Sequence, residues 1–145
     1  MRPEAYEEMF EVEDLHWWYR SLRSILDEAR KDYALDRGLT VDVGCGTGAV
    51  LARWRGRCLG MDRSGDALRF AKRRNAQRLS RADINNMPML DSSVDTVLCL
   101  DVMYHRAVNP ERAVLELRRV LAPVSYTHLR AHETVLDLVC RLLLE

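Results

Sequence analysis

The sequence predicts an α/β protein: a Rossmann-like, doubly wound parallel sheet with helices on both faces. Three observations carry this. Short apolar runs alternate with stretches of helical periodicity through the middle of the chain. Those runs lack polar alternation, as strands buried on both faces do. The first of them, "LTVDVGCGTG" over 39–48, ends in Gly44, Gly46 and Gly48, a tight turn at the strand end where such sheets bind ligands.

The elements follow in order. Residues 4–35 read as helical, because Tyr6, Met9 and Phe10, then Trp18, Leu22, Ile25, Leu26 and Ala29, recur at three- and four-residue steps. Asp14 is placed as the cap of the second of two helices. After the glycine turn, "AVLARWR" over 49–55 resumes helical spacing, and "CLGMD" over 58–62 is a second strand. Ser64 caps a helix over 64–76. "RLSRAD" over 78–83 is a third strand, and "SVDTVLCLD" over 93–101 a fourth, rich in Val and Leu. Asn109 caps a helix over 109–121 with Pro110 at its first position. Right-handed crossovers then place all four strands parallel in one sheet.

With 145 residues the chain holds one domain at most. Its 22 acidic and 22 basic residues cancel, which supplies no global field for nucleic acid or a membrane surface. The basic run "RFAKRR", with Arg78 and Arg81 beyond it, reads as the solvated face of a helix and its exit. Cys45, Cys58, Cys99 and Cys140 form no CxxC pair, which suits the reduced thiols of a cytoplasmic protein. The acidic start is not a secretory leader, and no apolar run approaches the roughly 18 residues of a membrane span. Nothing in the sequence sets the oligomeric state.

The glycine turn is the chemical signal. Glycines let the backbone bend sharply and let a ligand approach closer than a Cβ would permit. Asp62, at the end of the second strand, can accept both hydroxyls of a ribose. Gly44, Gly46 and Ala49 also fit the dinucleotide pattern G-x-G-x-x-A, so an NAD(P)-dependent oxidoreductase is the first rival. Three further features favour another ligand: Asp42 before the first glycine, the form D-x-G-x-G-x-G completed by Gly48, and Asp83 closing the third strand in "RADINNMP".

Together these residues resemble the class I S-adenosylmethionine (SAM)-dependent methyltransferases, most closely the type 11 methyltransferase domain, over residues 39–122. The resemblance implies a SAM site. Asp42 and the backbone of Gly44, Cys45 and Gly46, with Gly48 completing the turn, would face the methionine part. Asp62 would hold the ribose, with Met61 and Arg63 beside the adenine. Asp83 would accept from the adenine amino group, and the Ile84 amide would contact the ring. Leu100 and Asp101 would line the methyl-donor pocket. His105, in "DVMYH", is the candidate base, although the family usually has an acid where Tyr104 stands. The acceptor is expected to be a small molecule, such as a lipid or sugar precursor. "LHWWYR" over 15–20 resembles a segment that opens one bacterial branch of these enzymes. It implies a lid in which Trp18 packs as core while His16 or Trp17 lies nearer the pocket. A second rival is a degenerate, non-catalytic methyltransferase scaffold. Cys45 has no assisting His or acid, which argues against a catalytic thiol.

The chain divides into a helical segment over 1–37, the sheet region over 38–122, and a tail over 123–145. In the tail, His128 and His132 stand four apart with Glu133, a spacing that could hold a metal on a helix. A stronger reading is that "PVSYTHLRAHET" resembles the direct translation of a transposase library adapter used in DNA sequencing, and "LVCRLLLE" its far end. On that reading the tail is non-native read-through on a gene fragment. The resemblance gives seven strands in the order 3-2-1-4-5-7-6, of which this chain supplies the first four. The chain alone is then expected to bind SAM weakly and to be inactive. The fourth strand becomes an edge, on which residues 124–127 could pair by accident, and residues 134–144 are expected to be helical.

Overall fold

The computed structural model describes residues 3–123 and 139–140. Two helices come first, α1 (Pro3–Val12) and α2 (Trp17–Tyr33). The sheet strands are β1 (Leu39–Val43), β2 (Arg57–Asp62), β3 (Leu79–Arg81) and β4 (Thr96–Cys99), interleaved with α3 (Gly65–Arg73) and followed by α4 (Pro110–Val120). A two-residue strand, β5 (Val139–Cys140), completes a sheet of order β3-β2-β1-β4-β5. The first four strands are parallel, with Val41 opposite both Leu59 and Val97, as the doubly wound reading requires.

Alternation along each strand separates two layers. Val41, Val43, Met61, Val97 and Cys99 join Ala113, Leu117 and Val120 of α4 in the main apolar core. Thr40, Asp42, Gly60 and Leu98 fall on the opposite face. There, Thr40 donates to the Leu35 carbonyl at 3.0 Å, and a Cβ on Gly60 would sit 2.3 Å from Leu51 Cδ1. The second layer packs close because position 60 carries no side chain.

The caps at Ser64 and Asn109 form as expected, accepting from the Ala67 and Arg112 amides at 3.3 and 3.0 Å. The cap of α2 does not. His16, not Asp14, fills it, with Nδ1 accepting from the Trp18 amide at 3.3 Å. Asp14 is drawn away to Arg23, Arg53 and Arg74. The helix expected over 49–55 shrinks to a single 3₁₀ turn, Leu51–Arg53. Just beyond it Gly56 lies against Asp36, where a Cβ would come within 2.6 Å of the Asp36 carbonyl oxygen, and β2 begins at Arg57. The third strand stops at Arg81, two residues short of Asp83.

β5 pairs antiparallel with β4, Val97 opposite Cys140 and Leu98 opposite Val139. The open edge of β4 is thus met by the tail, as a strand within the stretch expected to be helical. An unpaired buried edge demands backbone partners that a helix, with its groups bonded internally, cannot supply. The accidental pairing expected at 124–127, the His128–His132 pair and the adapter-like sequence around them lie outside the described residues. Among the described residues, no helix is long and apolar enough to cross a membrane.

Candidate functional site

A cavity of about 680 Å³ opens beyond the C-terminal ends of β1, β2 and β4. This lies within the usual size of a small-ligand site. Its floor is the glycine turn, its sides are Asp62–Ser64, Asp83–Ile84 and Leu100–Val108, and its roof is Tyr6, Met9, Glu13, Tyr19 and Arg23 from α1, α2 and the turn between them.

The turn is tied to β2. The Gly44 and Cys45 amides both donate to the Met61 carbonyl, at 2.7 and 3.0 Å. Gly44 has φ +75°, and a Cβ there would lie 2.3 Å from Val102 Cγ2. A Cβ on Gly46 (φ +53°) would meet only the Met9 methyl, at 3.1 Å, so its backbone is bared toward the cavity. Gly48 does different work. Its Cα faces α3, where a Cβ would lie 2.8 Å from that of Ala71, and it does not border the cavity.

Three carboxylates expected from the sequence border the same hollow. Asp62 is held at both oxygens, Oδ2 accepting from the Gly46 amide at 3.0 Å and Oδ1 from the Ser64 amide at 2.8 Å. Asp42 is only 2% exposed, and burial, with the Asp62 charge adding to it, pushes its carboxyl up to about 7. A buried carboxylate in this state favours a cationic partner. Asp83, in a turn after β3, takes the Asn85 amide at 2.9 Å and the Asn85 side chain at 2.6 Å on Oδ1. Asn85 also donates to the Ala107 carbonyl at 3.0 Å, tying the β3 exit to the loop after β4.

Arg63, Ile84, Leu100 and Asp101 border the cavity as expected. The Met61 side chain does not. It is buried in the α4-side core, because placing Asp62 on the cavity layer turns its neighbour into the other one. Asp101 takes φ +55° and lies 3.5 Å from Trp18 Nε1. His105 borders the cavity and stacks on Tyr104 at 4.8 Å between ring centres. Cys45 is buried, and burial raises its thiol far above the reactive range.

In "LHWWYR" neither His16 nor Trp17 borders the cavity, and Trp18 is only partly buried. Trp17 is 68% exposed and His16 is the exposed helix cap. Trp18 reaches toward Asp101, and Tyr19 lines the cavity.

Sequence reasoning missed a second cluster. Glu13, 4% exposed, accepts a hydrogen bond from the Thr47 hydroxyl of the glycine turn and an ion pair from Arg74 Nη2 at 2.7 Å. Burial raises its carboxyl, while Thr47 and Arg74 oppose that. Arg74 Nη1 meets Asp14 at 2.7 Å, Nη2 meets the Phe10 carbonyl at 2.8 Å, and the guanidinium lies 4.3 Å from the Phe10 ring centre. The end of "RFAKRR" is therefore a clamp on the N-terminal segment rather than a solvated face. The sequence offers only an acid pair at Glu13–Asp14 and, 60 residues on, a basic helix end, with nothing local to join them.

Comparison with known proteins gives a consistent picture. The family model described as "Methyltransferase domain" matches residues 41–129, running past Pro123. A protein of Encephalitozoon cuniculi named as a methyltransferase is 34% identical over 109 residues, covering 73% of this chain and 48% of that protein. A Mus musculus protein named as a tRNA methyltransferase is 33% identical over 88 residues, 59% of this chain and 20% of that one. The chain thus spans less than half the length of these curated relatives. A crystal structure from Methanococcus maripaludis, named as a SAM-dependent methyltransferase, superposes with TM-score 0.73 at 18% identity, over 83% of this chain and 59% of that one, a likeness of fold.

Proposed function

The chain belongs to the methyltransferase-domain family, and from that premise we propose that its cavity binds SAM and serves methyl transfer to a small-molecule acceptor. The observation that carries this reading is Asp42: a carboxylate only 2% exposed that borders a hollow whose floor is the glycine turn. SAM carries an ammonium, a ribose diol and an adenine amine, and each needs an acceptor. We assign Asp42 to the first, Asp62 to the second and Asp83 to the third, since all three border the same cavity. A nicotinamide dinucleotide has no use for a buried acid at position 42, and its pyrophosphate would be repelled there.

When bound, SAM supplies a methyl group already activated by its sulfonium. The chain's own part is alignment and water exclusion, which can be worth roughly 7–11 kcal/mol. Asp62, locked by the Gly46 and Ser64 amides, would accept from the ribose hydroxyls. Leu100 and Asp101 border the face from which the acceptor arrives. Tyr19 borders the same cavity, and Trp18 meets Asp101 from α2. His105, which borders the cavity, would take a proton from an acceptor hydroxyl or amine as the new bond forms.

The test is calorimetric titration of the chain with SAM, S-adenosylhomocysteine and NADH. Weak but saturable binding of the first two, without the third, is the expected result. NADH binding without SAM binding would overturn the reading. A nucleic-acid acceptor is the second reading, favoured by the similarity to the protein named as a tRNA methyltransferase. Incubation with tritiated SAM and total tRNA, against a small-metabolite extract, separates the two by where the label goes.

A further inference from the structure

We propose that Glu13 is a positioning residue for the cofactor site: its buried carboxylate fixes the glycine turn through the Thr47 hydroxyl, and Arg74 in turn fixes the carboxylate. This rests on reading the cavity as a SAM site.

A turn built on Gly44, Gly46 and Gly48 can bare its backbone to a ligand, but glycine also leaves the unbound turn many conformations. Fastening must come from outside it. Two carboxylates supply it at adjacent residues. Asp62 takes the Gly46 amide from β2, and Glu13 takes the Thr47 hydroxyl from the N-terminal segment. Thr47 is 1% exposed and Glu13 4%, so water cannot stand in for either partner. Arg74, at the end of α3, keeps Glu13 in place with the 2.7 Å ion pair and anchors the segment at Asp14 and Phe10. Glu13 also borders the cavity. The roof is therefore bonded to the floor at the point where the ligand's backbone contacts are made.

A plain structural pin would hold α1 against the domain and nothing more. The two roles separate experimentally. Affinity for S-adenosylhomocysteine, thermal midpoint, and amide hydrogen exchange at Gly46 and Thr47 in the ligand-free protein are measured for wild type, Glu13→Ala, Glu13→Gln, Thr47→Val and the Glu13→Ala/Thr47→Val pair. Asp36→Asn, which breaks an ion pair to Arg30 at 3.0 Å away from the cavity, is the control. The expected result is a weakening of about tenfold in Glu13→Ala and in Thr47→Val, with the pair no weaker than Glu13→Ala alone, since both remove one bond. Glu13→Gln keeps an oxygen for the hydroxyl and stays within about threefold of wild type. Exchange at Gly46 and Thr47 quickens about tenfold in the two single variants. The control loses thermal stability without losing affinity.

Unchanged affinity and exchange in both Glu13→Ala and Thr47→Val, or additive losses in the pair, would overturn the proposal and leave the SAM reading intact. A wild-type chain that binds no S-adenosylhomocysteine would overturn the SAM reading, and the exchange rates would then decide by themselves whether Glu13 fixes the turn. Should Glu13→Ala not fold, Thr47→Val and Glu13→Gln decide between the two roles in its place.

Discussion

The two ends of the cavity are built on different terms. At the glycine turn, successive groups are satisfied within the protein: Gly44 and Cys45 on the Met61 carbonyl, Gly46 on Asp62, Thr47 on Glu13. At the β4 end, the loop 100–108 is held by short local bonds, His105 to Val102 at 3.1 Å and Val108 to His105 at 2.8 Å, and by ties from outside at its ends, Trp18 on Asp101 and Asn85 on the Ala107 carbonyl, with Tyr104 between them 67% exposed. One end is over-determined, as a site for an unvarying ligand must be. The other is left to side chains on a loop, where specificity usually resides.

The largest expected loss of stability comes from breaking the rigid end. Gly44→Ala forces a Cβ onto Val102 and into a left-handed backbone, two costs that together come to roughly 2–4 kcal/mol. Gly65→Ala, in a position with nothing within 4 Å, is the matched control and should stay within about 0.5 kcal/mol. Urea denaturation of the two variants checks this. Equal midpoints would mean that the turn is not under the constraint described.

The next effect separates the two carboxylates of that end. Asp42 is raised to about 7 in the fold against 3.8 in the free side chain. Between those values the folded chain holds a proton that the unfolded chain has lost, so this group makes stability fall as pH rises through the window. Asp42→Asn should therefore stabilise the ligand-free chain at pH 8, on the order of 4 kcal/mol, and do almost nothing near pH 4. It should also abolish the proton release expected when a cationic ligand binds near pH 6, which calorimetry in two buffers of different ionisation heat detects. Asp62→Asn should act with the opposite sign, losing roughly 1–2 kcal/mol because one of two backbone amides is left without its acceptor.

What could be read from the sequence divides along the same line. The strands, the caps at Ser64 and Asn109, and the glycine–carboxylate spacing are local signals, written within a few residues of the structure they form. Asp42, Asp62 and Asp83 were legible because each sits at a strand end or within two residues of one, and strand ends of a parallel sheet converge. The Glu13–Thr47–Arg74 bridge joins residues 34 and 61 positions apart, and no periodicity encodes such a meeting. Asp14 looked like a helix cap because acids often are, but three arginines compete for it. Met61 and Gly48 were placed at the ligand because they lie inside its motif. Strand alternation turned the first into the core, and helix packing claimed the second.

The smallest expected change in stability lies at the loose end. His105 is exposed, stacks on Tyr104 and carries no side-chain bond to the sheet among the described residues, so His105→Ala should shift stability by less than about 0.5 kcal/mol. Affinity for S-adenosylhomocysteine should also hold, because the turn and the three carboxylates are untouched. Turnover, measured with the same substitution in a chain that carries the remaining strands of the fold, is where the ends part. A base at position 105 is worth about a hundredfold or more in kcat, recoverable in part by raising pH or adding imidazole. A drop in kcat with stability and affinity both steady would place proton transfer on this loop. An unchanged kcat would remove His105 from the chemistry and leave methyl transfer here to alignment alone, which an activated sulfonium allows.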